Sequence, residues 1–160
     1  MRGLRLAAEH APLLRRLDTH PAVMRTLGGL RAASESAAGL QRGLDHWDAH
    51  GYGHWVWFER SSGAFLGRSG LKRDERATEV LYAFLPAAWG RGLATEAGRA
   101  VVGCADELLA LPELVAFALT TNRGSQRVIE KLGFDFEHQG EFWGLPTLHY
   151  RRPRPTPGSA

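Results

Sequence analysis

The sequence predicts a single domain of the α/β (α+β) class, in which a sheet packs against helices. Three segments with strand character, at 54–60, 64–71 and 77–85, follow one another across short turns, as in an antiparallel meander. The last of them leads through two glycines into a helical pattern at 93–109. A chain of 160 residues suits one domain with its own core.

Before the meander, the sequence predicts one strand and a group of helices. Alternating polar and apolar residues at 2–6 predict a first strand. Leucines that recur on one face predict a helix at 9–17, which Pro21 ends because the residue before a proline avoids the helical conformation. A short helical turn at 23–29 and a second helix at 34–49 follow, and glycines end both.

After the meander, hydrophobic runs and turn residues predict the remaining elements. The continuous apolar run at 114–119 predicts a strand that is buried on both faces. A helix is predicted at 122–132, because Gly133 stands where a helix C-terminus favours glycine. The domain ends with strands at 134–138 and 147–151, which a loop at 139–146 with Trp143 connects. A disordered tail is predicted at 153–160. Earlier in the chain, a charged hairpin loop is predicted at 72–76. We therefore expect one domain spanning 1–152.

The charge is modestly basic and is carried almost entirely by arginine. The formal net charge is +3, the sequence pI is near 9.5, and Lys72 and Lys131 are the only lysines. Arginines scattered over a solvated surface explain this balance better than a nucleic-acid site, because no basic run contains interleaved aromatic residues. An anionic cofactor is a further use for the positive charge.

The sequence predicts neither a membrane span nor secretion. No apolar run reaches the roughly 18 residues that a span needs, and the first 11 residues lack the apolar core of a signal peptide. The single Cys104 excludes an internal disulfide and suits a reducing compartment. We therefore expect a cytoplasmic protein, either a monomer or a homodimer, with no membrane or nucleic-acid partner.

The turn between the third meander strand and the helix at 93–109 carries the main functional prediction. Gly90 and Gly92 stand there, and glycine permits positive φ and the close approach of a ligand. The first turn of a helix has N–H groups without partners and about half a positive charge. This unit therefore predicts a site for an anion such as a phosphate or diphosphate. The strings typical of ATP-binding phosphate loops and dinucleotide-binding folds are absent, which disfavours an ATPase or a dehydrogenase.

The same turn resembles the acyl-CoA loop of the GNAT superfamily of N-acyltransferases. That loop runs Gln/Arg-x-x-Gly-x-Gly/Ala between a strand and a long helix, and here it is Trp89-x-x-Gly92-x-Ala94. Trp at its first position resembles the branch of Rim-type ribosomal-protein N-terminal acetyltransferases. A second stretch, Asn122-x-x-Ser125 through Gly133, resembles the family's segment that flanks the CoA thiol. The resemblance implies the GNAT fold: a mixed, mostly antiparallel central sheet flanked by helices and splayed between strands 4 and 5.

The resemblance also implies the substrates and the cofactor site. Acetyl-CoA is the expected acyl donor, and the acceptor is a primary amine, either a protein N-terminus or a small amine. The backbone N–H groups of Arg91 to Thr95 are the expected diphosphate cradle, and the pantetheine arm is expected beside Phe84 and Leu85. The implied cofactor-binding residues are Phe84, Leu85, Trp89, Gly90, Arg91, Gly92, Leu93, Ala94, Thr95, Asn122 and Ser125.

Glu79 and Ser125 are the predicted catalytic residues. Glu79 lies early on the third meander strand, where several family members carry a glutamate that takes the amine proton, although a solvated strand face explains it equally well. His54 is a rival base, because the usual histidine pKa of about 6.5 suits proton transfer at neutral pH. A backbone N–H near Phe84 or Leu85 is the implied donor to the oxyanion.

The acid that protonates the departing thiolate is the part of the pattern in which this chain departs from the family. Many family members carry a tyrosine seven residues after the motif asparagine, and this chain has Ile129 there. Ser125 is the predicted substitute, with Tyr82 and Tyr150 as weaker candidates. Asn122 and Ser125 are equally well explained as the cap and first turn of a helix. The missing tyrosine motivates an alternative function, a non-catalytic acyl-CoA-binding or sensing module.

Two further groups invite other readings that we consider weaker. His46 and His50 share a helix face, but glycines end the helix before His54, so a surface or pocket lining is favoured over a metal site. Cys104 falls on an apolar stripe of the helix at 93–109 and is predicted to be a buried small residue. For the four tryptophans at 47, 55, 57 and 143, core packing is the default, with some expected to line the acceptor pocket.

Overall fold

The fold is a single seven-stranded open sheet with helices on both faces, described here by a computed structural model for residues 1–73, 77–142 and 144–155. Within these residues the strand order is β1-β2-β3-β4-β5-β7-β6. The strands are β1 Arg2–Arg5, β2 His54–Phe58, β3 Phe65–Arg73, β4 Thr78–Phe84, β5 Glu113–Leu119, β6 Asp135–Phe142 and β7 Leu145–Pro153.

Five α-helices surround the sheet in the described residues. They are α1 Ala11–Asp18, α2 Pro21–Met24, α3 Ala33–His50, α4 Leu93–Gly103 and α5 Arg123–Lys131. Single 3₁₀ turns at Ala8–His10 and Pro86–Ala88 precede α1 and α4. None of the helices in the described part of the chain combines the length and apolar character needed to cross a bilayer.

The sheet is antiparallel except at its centre, where β4 and β5 run parallel. The two strands pair only at Thr78 with Leu114 and at Glu79 with Val115. Beyond Glu79, β4 continues to Phe84 while β5 diverges from it. The predicted mixed sheet, splayed between its fourth and fifth strands, is therefore confirmed.

The register of β3 and β4 decides which side chains face each helical layer. Lys72 lies opposite Glu79, and Arg68 lies opposite Ala83, and cross-strand neighbours share a face of the sheet. Ala83 packs against Leu14 and the other apolar residues of α1 and α2, so this face is the one covered by the first three helices. The opposite face packs against α4 and α5 through a cluster that includes Val80, Val101 and Ile129.

The C-terminal hairpin departs from the sequence prediction. The predicted loop at 139–146 is mostly strand, because β6 runs to Phe142 and pairs directly with Leu145 of β7. Only the turn at 143–144 separates the two strands; Gly144 has a φ of 71°, and Trp143 lies outside the described residues. β6 is an edge strand with nearly every residue exposed or half-buried, so no buried face imposed the alternation by which strands are predicted.

Two other boundaries shift by a few residues. β3 continues to Arg73, into the predicted loop at 72–76, whose remainder lies outside the described residues. β7 continues through Pro153, and the N–H of Arg154 donates to the carbonyl of Pro112 at 2.9 Å. The chain is thus attached to the sheet slightly beyond the predicted domain end, and the rest of the predicted tail, from 156, lies outside the described residues.

The helix predicted at 93–109 changes its winding at Cys104, which corrects the predicted burial of that cysteine. Residues Cys104–Leu108 form a π-helical turn, in which the N–H of Leu109 bonds to the carbonyl of Cys104. The wider turn rotates the apolar stripe, so Ala105 is fully buried, Cys104 is half-buried and Leu108 is 78% exposed. Burial raises the pKa of the Cys104 thiol, which does not suit a nucleophile.

Candidate active site

A cavity of about 1340 Å³ passes through the sheet at the gap between β4 and β5. On one face it is lined by residues of α1 to α3 and by the side chains of β3 and β4 that point toward them. On the other face it reaches the first turns of α4 and α5. The cavity exists because β4 and β5 stop pairing after Glu79 and Val115, so neither strand fills the space between them.

The start of α4 forms one end of this cavity. Gly92 is the residue before the helix and has a φ of 74°, and Gly90 has a φ of 71°. The first intrahelical bond runs from the N–H of Glu96 to the carbonyl of Gly92, which leaves the N–H groups of Leu93, Ala94 and Thr95 without helical partners. A Cβ at Gly90 or Gly92 would meet nothing within 4 Å. The backbone conformation is therefore what requires glycine at these two positions, and the space beside them stays open for a ligand.

Trp89 and Arg91 hold the loop that precedes α4. The Trp89 indole N–H donates to the carbonyl of Phe84 at 2.8 Å, although the residue is 48% exposed. The Arg91 guanidinium pairs with Glu59 and donates to the carbonyl of Ala87, and this side chain does not line the cavity. The lining of the cavity at this end includes Trp89, Gly90, Gly92, Leu93, Ala94 and Thr95.

The free edge of β4 directs backbone groups into the gap. The N–H of Leu85 already donates to the carbonyl of Leu66 in β3, at 2.8 Å. In an antiparallel ladder, alternate residues face the partner strand, so the backbone groups of Phe84 and Tyr82 point the other way, toward the gap. Of the two predicted oxyanion donors, Phe84 lines the cavity and Leu85 does not. Leu85 is a core residue: its N–H bonds to Leu66, and its side chain packs in the cluster under the first three helices.

Tyr82 and Ser125 meet across the gap, on the α4–α5 face. The Tyr82 hydroxyl lies 2.8 Å from the Ser125 hydroxyl and donates to the Ser125 carbonyl at 3.0 Å. Burial raises the pKa of Tyr82, which the hydrogen bond from Ser125 offsets only in part. The phenol is therefore protonated at neutral pH, and the pair presents two hydroxyl groups to one point of the cavity wall.

Asn122, Ile129 and Tyr150 all have structural positions. The Asn122 side chain accepts from the N–H of Ser125 at 3.1 Å and so caps α5, while it also lines the cavity. Ile129 and Tyr150 are 1% and 3% exposed within the core cluster, away from the cavity lining. Of the two tyrosines considered as acids, only Tyr82 reaches the cavity.

The two base candidates, Glu79 and His54, both line the α1–α3 side of the cavity. Glu79 lies at the base of the gap, where it pairs with Val115 as the last joined position of β4 and β5. Burial lowers the pKa of His54 well below its usual range, and the charges of Arg68, His46 and Lys72 lower it further. His54 is therefore neutral at pH 7, but it binds a proton weakly.

His46 has a structural role between α3 and β3. Its Nδ1 lies 2.8 Å from the carbonyl of Tyr52, and its Nε2 accepts from the N–H of Arg73 at 2.9 Å. These two bonds require a proton on Nδ1 and fix the ring between α3 and β3. Within the described residues, no group of three or more potential metal-ligating side chains comes together.

Trp47, Trp55 and Trp57 pack in the core instead of lining the cavity. The Trp47 indole N–H donates to the carbonyl of His54, and the Trp57 indole N–H donates to the Ser69 hydroxyl at 2.7 Å. Trp47 and Trp55 make an edge-on contact with their ring centroids 5.2 Å apart. None of these three residues belongs to the cavity lining, so core packing is the reading that the structure supports.

The sequence analysis did not single out three cations that border the cavity on α5. Arg123, Arg127 and Lys131 all line it. They recur at intervals of four residues, so they lie along one side of the helix and carry positive charge toward the α4 end of the cavity. This spacing is visible in the sequence and was a usable signal for an anion-binding helix face.

Comparison with known proteins identifies the family. A family model described as the acetyltransferase (GNAT) domain matches residues 2–135. The chain belongs to the GNAT family. The predicted resemblance is thus confirmed, and the matched part of this GNAT domain includes both strands of the gap together with α4 and α5.

Individual relatives match nearly the whole length of this GNAT domain. A curated relative, the uncharacterized protein YkkB of Bacillus subtilis strain 168, is 26% identical over 148 residues, which is 90% of this chain and 86% of that protein. A spermidine N-acetyltransferase from Vibrio cholerae, solved with CoA and spermine, superposes with a TM-score of 0.79 at 14% identity, covering 96% of this chain and 95% of that one.

A second similar structure belongs to the Rim-type branch that the position of Trp89 resembles. It is RimL, a ribosomal L7/L12 alpha-N-protein acetyltransferase in complex with CoA, with a TM-score of 0.79 at 18% identity and coverage of 94% of this chain and 92% of that one. At such identities the two structural likenesses establish a shared fold.

Proposed function

We propose that this GNAT domain transfers an acetyl group from acetyl-CoA to the nitrogen of a primary amine, by direct attack while both substrates are bound. The observation that carries the proposal is the cavity that crosses the sheet from the first turn of α4 to Glu79. A donor bound on one face and an acceptor bound on the other can meet at the gap without leaving the protein.

The cofactor end of the cavity suits the two parts of CoA that distinguish it from smaller thioesters. The N–H groups of Leu93, Ala94 and Thr95 and the cations of α5 suit a diphosphate. The backbone edge of β4 at Tyr82 and Phe84 suits the amide groups of a pantetheine arm, since both have backbone groups directed at the gap. When bound there, acetyl-CoA supplies an activated thioester.

Three groups then divide the chemistry of acyl transfer. Glu79 takes the proton of the amine, directly or through a water molecule. The N–H of Phe84 donates to the oxygen that gains negative charge as the carbonyl is attacked. The paired hydroxyls of Tyr82 and Ser125 hydrogen-bond the departing sulfur, and the phenol keeps its proton for that step because burial raises its pKa.

Glu79 is favoured over His54 as the base for a physical reason. The environment that lowers the pKa of His54 also makes it a poor acceptor for the proton of an ammonium group. His54 lies in β2, opposite Gly70 of β3, and is therefore two strands away from the gap. Glu79 lies on the strand that borders it.

The test is CoA release from acetyl-CoA, followed with a thiol reagent across small amines and peptide N-termini. We expect amine-dependent release for at least one acceptor class. Glu79→Gln is expected to lower kcat about 100-fold or more, whereas Glu9→Gln, an exposed position outside the cavity, is expected to leave it unchanged. Ser125→Ala is expected to lower kcat more than Ser61→Ala, an exposed turn position outside the cavity.

The rival function, a non-catalytic module that senses acyl-CoA, makes an opposite prediction in the same assay. It predicts that CoA binds. It also predicts that no amine raises the rate of thiol release above the rate of acetyl-CoA hydrolysis by water. Should a confirmed acceptor be turned over equally well by wild type, Glu79→Gln and Ser125→Ala, the assignment of these two residues would be wrong even though the enzyme function would stand.

A further inference from the structure

The acceptor side of the cavity is strongly cationic in the described part of the chain. This side lies between the first three helices and the face of β3 and β4 that carries Lys72 and Glu79. Among the residues that the structure describes, its lining contains two carboxylates, Asp18 and Glu79. Against them stand six cationic side chains: Arg25, Arg31, Arg42, Arg68, Lys72 and Arg73.

The six cations differ in depth, and the inner pair matters most. Arg25, Arg42, Lys72 and Arg73 are exposed and surround the opening, whereas Arg31 and Arg68 are half-buried further inside. Arg31 reaches the buried Asp18, with 3.9 Å between the guanidinium nitrogen and the carboxylate oxygen. An anion that enters this side therefore passes exposed cations before it reaches the inner ones.

Arg68 lies on β3 at the level of the reaction gap. It lies opposite Ala83 of β4, between the positions of Tyr82 and Phe84 that direct backbone groups into the gap. Burial lowers the pKa of Arg68, while Asp18 and Glu79 raise it, and arginine is charged at any physiological pH. Its guanidinium makes no hydrogen bond to another described residue. A half-buried planar donor of this kind suits a carboxylate or phosphate, which accepts hydrogen bonds from two of its N–H groups at once.

We propose that the acceptor is a primary amine that also carries an anionic group, a carboxylate or a phosphate, and that Arg68 binds this group. The inference rests on the proposed function and specifies its substrate class. The amine lies toward Glu79 and the anion lies toward Arg68 and Arg31, so the acceptor complements both signs of charge in the pocket. Polycationic amines meet repulsion from the exposed cations at the opening.

The test uses matched acceptors that differ only in charge, with the wild-type protein and acetyl-CoA at a fixed ionic strength near 0.15 M. One arm compares phosphoethanolamine with ethanolamine, and 4-aminobutyrate with its uncharged amide and with putrescine. The other arm compares peptides whose second and third residues are Asp-Glu, Asn-Gln or Lys-Lys. The first arm detects a small acidic metabolite as the source of the anion, and the second detects an acidic protein N-terminus.

In at least one arm, the acidic member is expected to have a kcat/KM about 10- to 100-fold above its neutral counterpart, as for a charge-assisted hydrogen bond. Arg68→Gln is expected to remove most of that preference while leaving CoA affinity unchanged. The control is Arg99→Gln, on the exposed side of α4 and outside the cavity, which is expected to keep the preference for acidic acceptors. The comparison of acidic, neutral and cationic acceptors with the wild-type protein tests the inference even if Arg68→Gln fails to fold. Turnover that is equal for all members, or greatest for the cationic ones, would overturn this inference and leave the proposed function standing. Absence of turnover with every amine would overturn both.

Discussion

Replacing Tyr82 by phenylalanine is the most informative single change, because it removes one hydroxyl group and keeps the ring. In the native protein this hydroxyl lies 2.8 Å from the Ser125 hydroxyl and 3.0 Å from the Ser125 carbonyl. If Tyr82 only orients Ser125, the change removes a neutral hydrogen bond. If the pair stabilises a departing thiolate, it removes hydrogen bonding to a charge that develops in the transition state.

The two roles predict different losses. A neutral hydrogen bond contributes about 0.5–1.5 kcal/mol and one to a charged group about 1.5–3 kcal/mol. These values correspond to losses in kcat of about 2- to 13-fold and about 13- to 160-fold, respectively, at about 1.36 kcal/mol per factor of ten. We expect Tyr82→Phe to fall in the second range, with CoA affinity unchanged. Tyr150→Phe is the matched control, since Tyr150 is buried in the core away from the cavity.

The pH dependence sharpens this test. A hydrogen bond to the charge that develops on the departing sulfur does not depend on the pH of the solution, as long as its donor stays protonated. Burial raises the pKa of Tyr82, so the native phenol still holds its proton at about pH 9.5. The kcat ratio of wild type to Tyr82→Phe, measured by thiol release, is therefore expected to stay in the same range between pH 7 and pH 9.5. A ratio below about 13 at pH 7, or one that falls toward 1 by pH 9.5, would refute the role of Tyr82 in thiolate departure.

Three further predictions test the cofactor end and the pH dependence of stability. Gly92→Ala is expected to weaken CoA binding measured by calorimetry, because the φ of 74° at this position is unfavourable for alanine. Gly51→Ala is the control: Gly51 has a φ of 71° at the end of α3, so alanine there is under the same strain, but CoA binding should be unchanged. Arg127→Gln is expected to lower CoA affinity and to reduce its dependence on salt, while Arg99→Gln changes neither. His54→Gln is expected to flatten the loss of stability in acid. The folded protein lowers the pKa of His54, so its contribution to stability is present above the unfolded value of about 6.5 and is lost as pH falls below it, at up to about 1.4 kcal/mol per pH unit. Urea unfolding of both proteins between pH 7.5 and pH 5 checks this, and identical slopes would contradict it.

Much of the fold and the cofactor end was predictable because local sequence determines both. A strand followed by two glycines and an amphipathic helix specifies the turn at Gly90 and Gly92, and both do adopt the positive φ that glycine allows. The splay between β4 and β5 came from family resemblance, since local patterns do not specify where two distant strands stop pairing. The strand β6 was missed in part because its exposed position imposes little hydrophobic alternation.

The parts of the site that could not be predicted depend on contacts between distant residues. Tyr82 and Ser125 lie 43 positions apart and meet only because β4 and α5 face each other across the gap. The burial of Arg68 depends on three helices that precede it by many residues. The change of winding at Cys104 arises from an i to i+5 bond that propensity does not reveal. By contrast, the spacing of Arg123, Arg127 and Lys131 was available in the sequence and was overlooked.

The central claim is that the first turn of α4 binds the diphosphate of CoA. The most direct measurement is a calorimetric titration of the folded protein with CoA and, separately, with pantetheine, which has the same arm and thiol but no diphosphate. The account predicts saturable binding of CoA and much weaker binding of pantetheine. No heat with CoA, or equal affinity for the two compounds, would contradict it.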